Sequence, residues 1–300
     1  MKASPIVILD ATSMLFRAFH AAPSQKAPNG SETGALASFT AMLLKLIRKA
    51  SSRHFVVVFD AEGKTFRHRI SAEYKAHRKP QPTELRAQAN AALQVCRKLG
   101  LLSFRVDDVE ADDVIATLTR QARNEGAPVW IVSPDKDLFQ LVDDTAPSVS
   151  IWRMAKREIV DAKRVEALIG VNPDRAVTYF ALVGDSSDNV RGVRGVGPKA
   201  AASIVKRFGT LEEIYANLVR MWSLPVRGAK TLADKLKASR EEAFVARHLV
   251  TLRDDVPLEL TRRLVELALW TGPTSDAEAT FYPLGMGNLL THAQRLSGDR

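Results

Sequence analysis

A single cysteine, Cys96, among 300 residues excludes an intramolecular disulfide and any multi-cysteine metal site. It fits a reducing, cytoplasmic location, and within LQVCRKLG it reads as a small core residue of a helix. No apolar run approaches the roughly 18 residues of a membrane-spanning helix. The apolar part of MKASPIVILD is too short for a signal peptide. Low-complexity tracts and internal repeats are missing. So are G-x-S-x-G, a P-loop, H-E-x-x-H and a G-x-G-x-x-G after a strand, which removes the usual serine-hydrolase, nucleotide-triphosphatase and zinc-protease readings. The closely spaced glycines of GVRGVG follow an acidic loop rather than a strand, so a dinucleotide site is not expected there.

What is present begins with charge. Lys and Arg total 43 against 34 Asp and Glu, a net charge of +9, which points to a polyanionic partner, nucleic acid first. Hydrophobic residues make up 46% of the chain, enough for a sizeable core. Ile6–Leu9, Phe55–Phe59 and Val129–Val132 are compact and β-branched-rich, as buried parallel strands are. Between them lie helical patterns. One runs from about Thr33 to Ala50, with Leu36, Phe39, Leu43 and Ile47 on one face. A second starts near Thr83, read as the N-cap, and a third spans Ala111 to Asn124. The alternation predicts an α/β fold with a mostly parallel sheet flanked by helices. After about residue 160 short helical segments take over. The expected organisation is a domain over 1–169, a helical subdomain over 170–265, and a segment from 266 to 300 packing back on the first domain. The stretch Phe66–Pro82 carries Arg67, His68, Arg69, Lys75, His77, Arg78 and Lys79, and taken alone it is equally well a solvated loop.

The acids follow a pattern of their own. Asp10 and Asp60 end strands, and Asp135 lies just beyond a third. In an open α/β sheet the strand carboxyl ends form the ligand rim. Glu110, Asp112 and Asp113 open a helix, Asp137 follows Asp135, and Asp185 and Asp188 lie in GDSSDN. Singly, each suits a cap or a turn. Together on one rim they would repel unless cations neutralised them. A set of oxygen ligands without Cys or His suits a hard cation, Mg²⁺ or Mn²⁺. Two such ions about 4 Å apart serve an in-line displacement at phosphorus.

The motifs ILDATSMLFRAFHA, VVFDAEGKTFRH, EYKAHR, VEADDVIATL, SPDKDLFQLV, GDSSDN and GVRGVGPKAAASIV, in this order and spacing, carry a resemblance over nearly the whole chain. It resembles the bacterial 5′-nuclease family, which includes the N-terminal domain of DNA polymerase I and stand-alone 5′→3′ exonucleases, and more distantly the flap endonucleases. The resemblance implies a PIN-like domain with a helical arch at about 66–82 and a helix–three-turn–helix element with a hairpin at 190–208. It implies a structure-specific 5′ nuclease using two Mg²⁺ ions, replaceable by Mn²⁺, in DNA replication and repair. Asp60, Glu110, Asp112 and Asp113 would then serve the first metal, with Asp10 behind it through water. Asp137, Asp185 and Asp188 would serve the second, with Asp135 nearest both. Arg17 occupies the basic position after the first strand. Tyr74, Lys75 and Arg78 fall in the arch, where the cations would contact phosphate and Tyr74 would stack on a base or simply pack. Gly195, Gly197 and Lys199 match the hairpin that grips duplex DNA, often with a potassium ion. Two positions depart from the family: Ala200 stands where threonine is common, and Arg191 where proline is common.

The implied partners are flapped, nicked or 5′-ended duplex DNA and a DNA polymerase or ligase of the same pathway, with no membrane. Because no polymerase or proofreading region follows, a stand-alone nuclease is expected. A response-regulator or phosphatase reading leaves Asp112, Asp113, Asp185 and Asp188 unexplained. A PIN-type ribonuclease normally lacks the arch and hairpin. A DNA-binding relative without metals would be expected to lack an acid, and none of the matched acids is missing.

Overall fold

Strands made almost wholly of β-branched and apolar residues cannot face water on either side. The computed structural model, which describes residues 4–28, 30–226 and 228–299, buries them on both. β1 (Ile6–Asp10), β2 (His54–Phe59), β3 (Leu102–Arg105), β4 (Val129–Val132), β5 (Val149–Arg153) and β6 (Glu158–Val160) form one sheet in the order β3-β2-β1-β4-β5-β6. The first five strands run parallel, and β6 closes the edge antiparallel to β5. The chain builds outward from β1 through β2 to β3, then crosses back to place β4 on the other side of β1. The topological switch point therefore lies between the carboxyl ends of β1 and β4.

Helices α1 (Ala11–Ala21) and α2 (Gly34–Lys49) follow β1, and α3 (Phe66–Ile70) and α4 (Thr83–Lys98) follow β2. α5 (Ala111–Asn124) joins β3 to β4, and α6 (Ala162–Ile169) follows β6. The expected apolar face of α2 is buried as a set, with Leu36, Phe39, Leu43 and Ile47 all in the core that α2 shares with α1, α4 and β2. Each such side chain contributes roughly 1.5–3 kcal/mol. Thr83 is the first residue of α4, one place inside the expected cap, because Pro82 needs no backbone donor and takes the cap position itself.

Beyond Gly170 a second cluster of buried side chains forms around α7 (Ala176–Val183), α8 (Pro198–Phe208), α9 (Leu211–Ala216), α10 (Leu232–Ala238) and α11 (Arg240–Val250). A two-residue ladder, β7 (Gly184–Asp185) with β8 (Val190–Arg191), interrupts the helices. The short helices α12 (Leu264–Leu267) and α13 (Glu278–Phe281) lead to α14 (Gly287–Gly298). Phe281, Met286, Leu290 and Ala293 join the same core as α2 and α4. Trp270 is buried between them and donates from Nε1 to the Leu99 carbonyl at 2.7 Å.

Candidate active site

Asp10 closes β1 and caps α1, accepting from the Ser13 amide at 3.0 Å. Its other oxygen accepts from the Ser133 hydroxyl at 2.8 Å, a bond that spans the switch point. Asp60, just past β2, accepts from the Ala111 amide at 2.8 Å, while its own amide donates to Thr12 Oγ1. Asp135 accepts from the Asp137 amide and is itself held by Ser133 Oγ at 3.1 Å. Backbone amides at the start of α1, the start of α5 and the turn after β4 thus fix three carboxylates on one rim.

The rim opens into a cleft of about 1020 Å³ lined by Asp10, Asp60, Glu110, Asp112, Asp135, Asp137 and Asp188. Arg17, Lys75, Arg78 and Lys79 line the same cleft. Burial, and next to it the like charges of Asp135 and Asp10, raises Asp112 well above the usual carboxylate range. Burial first, then Asp135, Asp185 and Asp188, pushes Asp137 up to about 8. Asp10 rises to about 6, mainly through burial, and Asp60 is raised by burial as well.

Basic side chains hold the other acids. The Lys75 ammonium bonds Glu110 and lies 3.4 Å from Asp188, and Arg78 pairs with Asp188. Lys136 reaches Asp185 at 2.9 Å. Burial alone would raise Asp185, but the Ser187 hydroxyl and Lys136 outweigh it and hold this carboxyl below its usual range. Among the described residues no three acidic, His or Cys side chains stand together as a ligand cluster.

Two residues lie elsewhere than their expected roles suggest. Asp113 does not line the cleft: it is fully buried in a two-bond pair with Arg67, at 2.6 and 2.7 Å. Asp185 is likewise outside the cleft lining, tied to Lys136. Of the two roles open to Tyr74 the structure shows packing, since the residue is 2% exposed. Its hydroxyl lies 2.8 Å from both Glu110 and Asp188, and its ring joins the core of the helical unit.

The arch differs in form from a helix lying over the site. α3 is five residues long, and residues 72–78 continue as turns, with Lys75 at φ +53°. Pro80 and Pro82 then keep the chain extended until α4. The turns are tied to the loop of GDSSDN by the Lys75 amide on the Asp188 carbonyl at 2.9 Å and by Asn189 on the Glu73 carbonyl at 2.7 Å.

In the helical unit Gly195, Gly197 and Lys199 are exposed at the start of α8. Their glycines are not equivalent to Gly192. A Cβ at Gly192 would meet the Gly184 nitrogen and the Leu182 oxygen at 2.4 Å, whereas one at Gly197 would meet nothing within 4 Å.

Sequence reasoning missed Thr12, Ser133, Arg67 and Lys136 as supports of the rim. Lys136 had a signal, its place between two of the acids. Thr12 and Ser133 had none, because a hydroxyl near a strand end is common and only the fold brings these two to the acids. The end of β5 and the turn after it, carrying Arg153 and Lys156 into the cleft wall, were also missed.

The description "5′-3′ exonuclease, N-terminal resolvase-like domain" matches residues 5–170, and "5′-3′ exonuclease, C-terminal SAM fold" matches residues 171–271. The 5′-3′ exonuclease of Aquifex aeolicus is 36% identical over 291 residues, 97% of this chain and 96% of that protein. DNA polymerase I of Pseudomonas aeruginosa is 41% identical over 261 residues, 87% of this chain but 28% of that much longer protein. Among solved structures, the zinc-bound bacteriophage T5 5′-exonuclease has a TM-score of 0.66 at 24% identity, covering 97% of this chain and 98% of its own. The catalytic core of Rad2 with DNA substrate has a TM-score of 0.58 at 15% identity, covering 97% and 92%; both likenesses are of fold. A mostly parallel sheet with an acid-lined cleft at its switch point and an attached helical unit defines a PIN-like nuclease. The chain belongs to the 5′-3′ exonuclease family of nucleases.

Proposed function

We propose that the protein is a structure-specific 5′ nuclease that hydrolyses DNA phosphodiester bonds at flaps, nicks and 5′ ends with two Mg²⁺ ions, Mn²⁺ substituting. The observation that carries this reading is the cleft itself: seven carboxylates at the switch point of a protein with net charge +9, with six Lys and Arg side chains on the same walls. The residues fit a hard divalent ion. Asp137 Oδ1 is buried without a hydrogen-bond partner among the described residues, and Asp112 lines the cleft with no hydrogen bond or ion pair there. Asp10, Asp60, Glu110, Asp112 and Asp135 would hold one ion, and Asp135, Asp137 and Asp188 the other, with Asp185 behind them on Lys136. Bound ions would lower the pKa of water and stabilise charge on the leaving oxygen.

The chain's own residues supply position and charge. Lys75 and Arg78 are within reach of the acids through flexible side chains, so they can turn from Glu110 and Asp188 to the scissile phosphate when these acids take a metal. Arg17 offers a further cation on the opposite helix. At the start of α8 the Gly197 cap leaves open space for a phosphate, with Lys199 beside it. The Gly195 carbonyl accepts from Lys235 at 3.3 Å, so this turn already presents an oxygen to a cation, in keeping with a potassium site. Replication and repair, alongside a polymerase or ligase, is the setting this activity suits. The direct test compares labelled flap, nicked and single-stranded DNA with single-stranded RNA and a phosphomonoester. Preferred cutting of flapped DNA supports the reading, and preferred cutting of RNA replaces it with a PIN-type ribonuclease.

A further inference from the structure

Arg67 is the most deeply buried cation among the described residues, 1% exposed, and every one of its donors is spent. Nε donates to the Leu249 carbonyl at 2.7 Å, and Nη2 to the Thr251 carbonyl at 3.1 Å. Both Nη groups grip Asp113, and Nη1 also reaches Glu110 Oε2 at 3.3 Å. Asp113 is equally saturated. Its Oδ1 accepts a second bond from the Arg253 amide at 2.9 Å, and its Oδ2 a second from the Glu110 amide at 3.0 Å. Four donors on two oxygens leave no lone pair directed at an ion.

The pair joins three pieces of chain. Arg67 belongs to α3, the root of the arch. Asp113 sits in the first turn of α5, beside the rim acids Glu110 and Asp112. Leu249 lies in the last turn of α11, the last helix of the helical unit, and Thr251 and Arg253 follow directly after it. An arginine fork fixes a carboxylate in both distance and plane, and here the same fork and carboxylate also hold Glu110 by its side chain and its amide.

We infer that Arg67 and Asp113 are positioning residues: Asp113 ligates no metal, and the pair sets Glu110 on the rim while locking the arch root and the end of α11 to it. The inference rests on the proposed metal-dependent reading of the cleft. It differs from that reading in making one acid of the E-A-D-D run structural and its neighbour Asp112 a ligand. Groups that orient metal ligands typically change metal affinity by about 10–100-fold when removed, without changing how many ions bind.

The test counts Mn²⁺ bound per chain, from the signal of free Mn²⁺, beside thermal stability and single-turnover flap cleavage. Asp113→Asn keeps the size and, on the oxygen it retains, two of the four hydrogen bonds. It is expected to bind as many Mn²⁺ ions as the parent, with affinity within about threefold. Asp112→Asn is expected to weaken binding far more. Arg67→Met combined with Asp113→Leu removes the pair without stranding a buried charge. It is expected to keep the ion count, to need about tenfold more Mn²⁺ for half-saturation, and to lose turnover more than DNA affinity. Loss of one ion in Asp113→Asn would overturn the inference, and so would wild-type Mn²⁺ binding in the folded double variant. A parent protein that binds no Mn²⁺ and cuts no flap would instead overturn the reading of the cleft.

Discussion

At Asp135 the carboxylate is placed by its surroundings before any substrate arrives. Ser133 holds its amide, its Oδ1 accepts from the Asp137 amide, and Ser133 in turn bonds Asp10. Asp135→Asn preserves size and removes charge from the acid expected to face both metals. Cleavage is expected to fall by several orders of magnitude while DNA affinity stays within about tenfold, because the loss lies in the transition state. Near-normal single-turnover rates would contradict its central place. The glycines separate folding from binding. Gly192→Ala drives a methyl into the Gly184 and Leu182 backbone and is expected to cost roughly 1–3 kcal/mol in a denaturant titration. Gly197→Ala meets open space, so its stability should stay within about 0.5 kcal/mol of the parent while duplex affinity falls. Unchanged affinity would mean that no phosphate approaches this cap.

Among the elements, the arch and the α8 turn are expected to do different work. The arch cations sit over the acids, so Lys75→Ala and Arg78→Ala should reduce turnover at saturating DNA more than duplex affinity. Lys199 is exposed and does not line the acid-bearing cleft. Lys199→Ala should weaken binding to any sequence alike and flatten the salt dependence of affinity by about one unit of slope. Its single-turnover rate at saturation should stay close to normal, and an unchanged slope would contradict the grip proposed for this turn. These elements also show how far the sequence could be read. The bounds of α5 and the core face of α2 were legible because periodicity and capping agree there. β3, β5 and β6 were not: β3 is partly exposed throughout, β5 mixes Ser150 and Arg153 with its apolar residues, and β6 is three residues long. The rim acids were legible as a group because strand ends converge. That Asp113 and Asp185 turn to Arg67 and Lys136, and that Tyr74 packs, depends on partners far away in sequence: 46 residues for Arg67 and Asp113, 49 for Lys136 and Asp185, and 114 for Tyr74 and Asp188.

For the whole molecule, the crowded acids tie stability to pH and to metal. The folded-state values of Asp10, about 6, and Asp137, about 8, lie above the ordinary 3.8 of an unfolded aspartate. Stability from their protonation is complete below about pH 4 and is lost as pH rises through about 6 and then 8. In metal-free buffer the contribution of these carboxylates to Tm should therefore decline from pH 5 to pH 8.5, by an amount on the order of 5 °C. Ca²⁺ added at pH 8.5 should raise Tm more than the same Ca²⁺ at pH 5, since ionised acids bind it. Equal Ca²⁺ effects at the two pH values would contradict a cation site in the cleft. The central claim is that cutting depends on divalent ions held by these acids while DNA gripping does not. A single flap DNA, labelled at its 5′ end, followed in Mg²⁺, in Ca²⁺ and in excess chelator tests it most directly. The account predicts rapid cleavage in Mg²⁺, binding with little cutting in Ca²⁺, and no cleavage in chelator; full cleavage in excess chelator would contradict it.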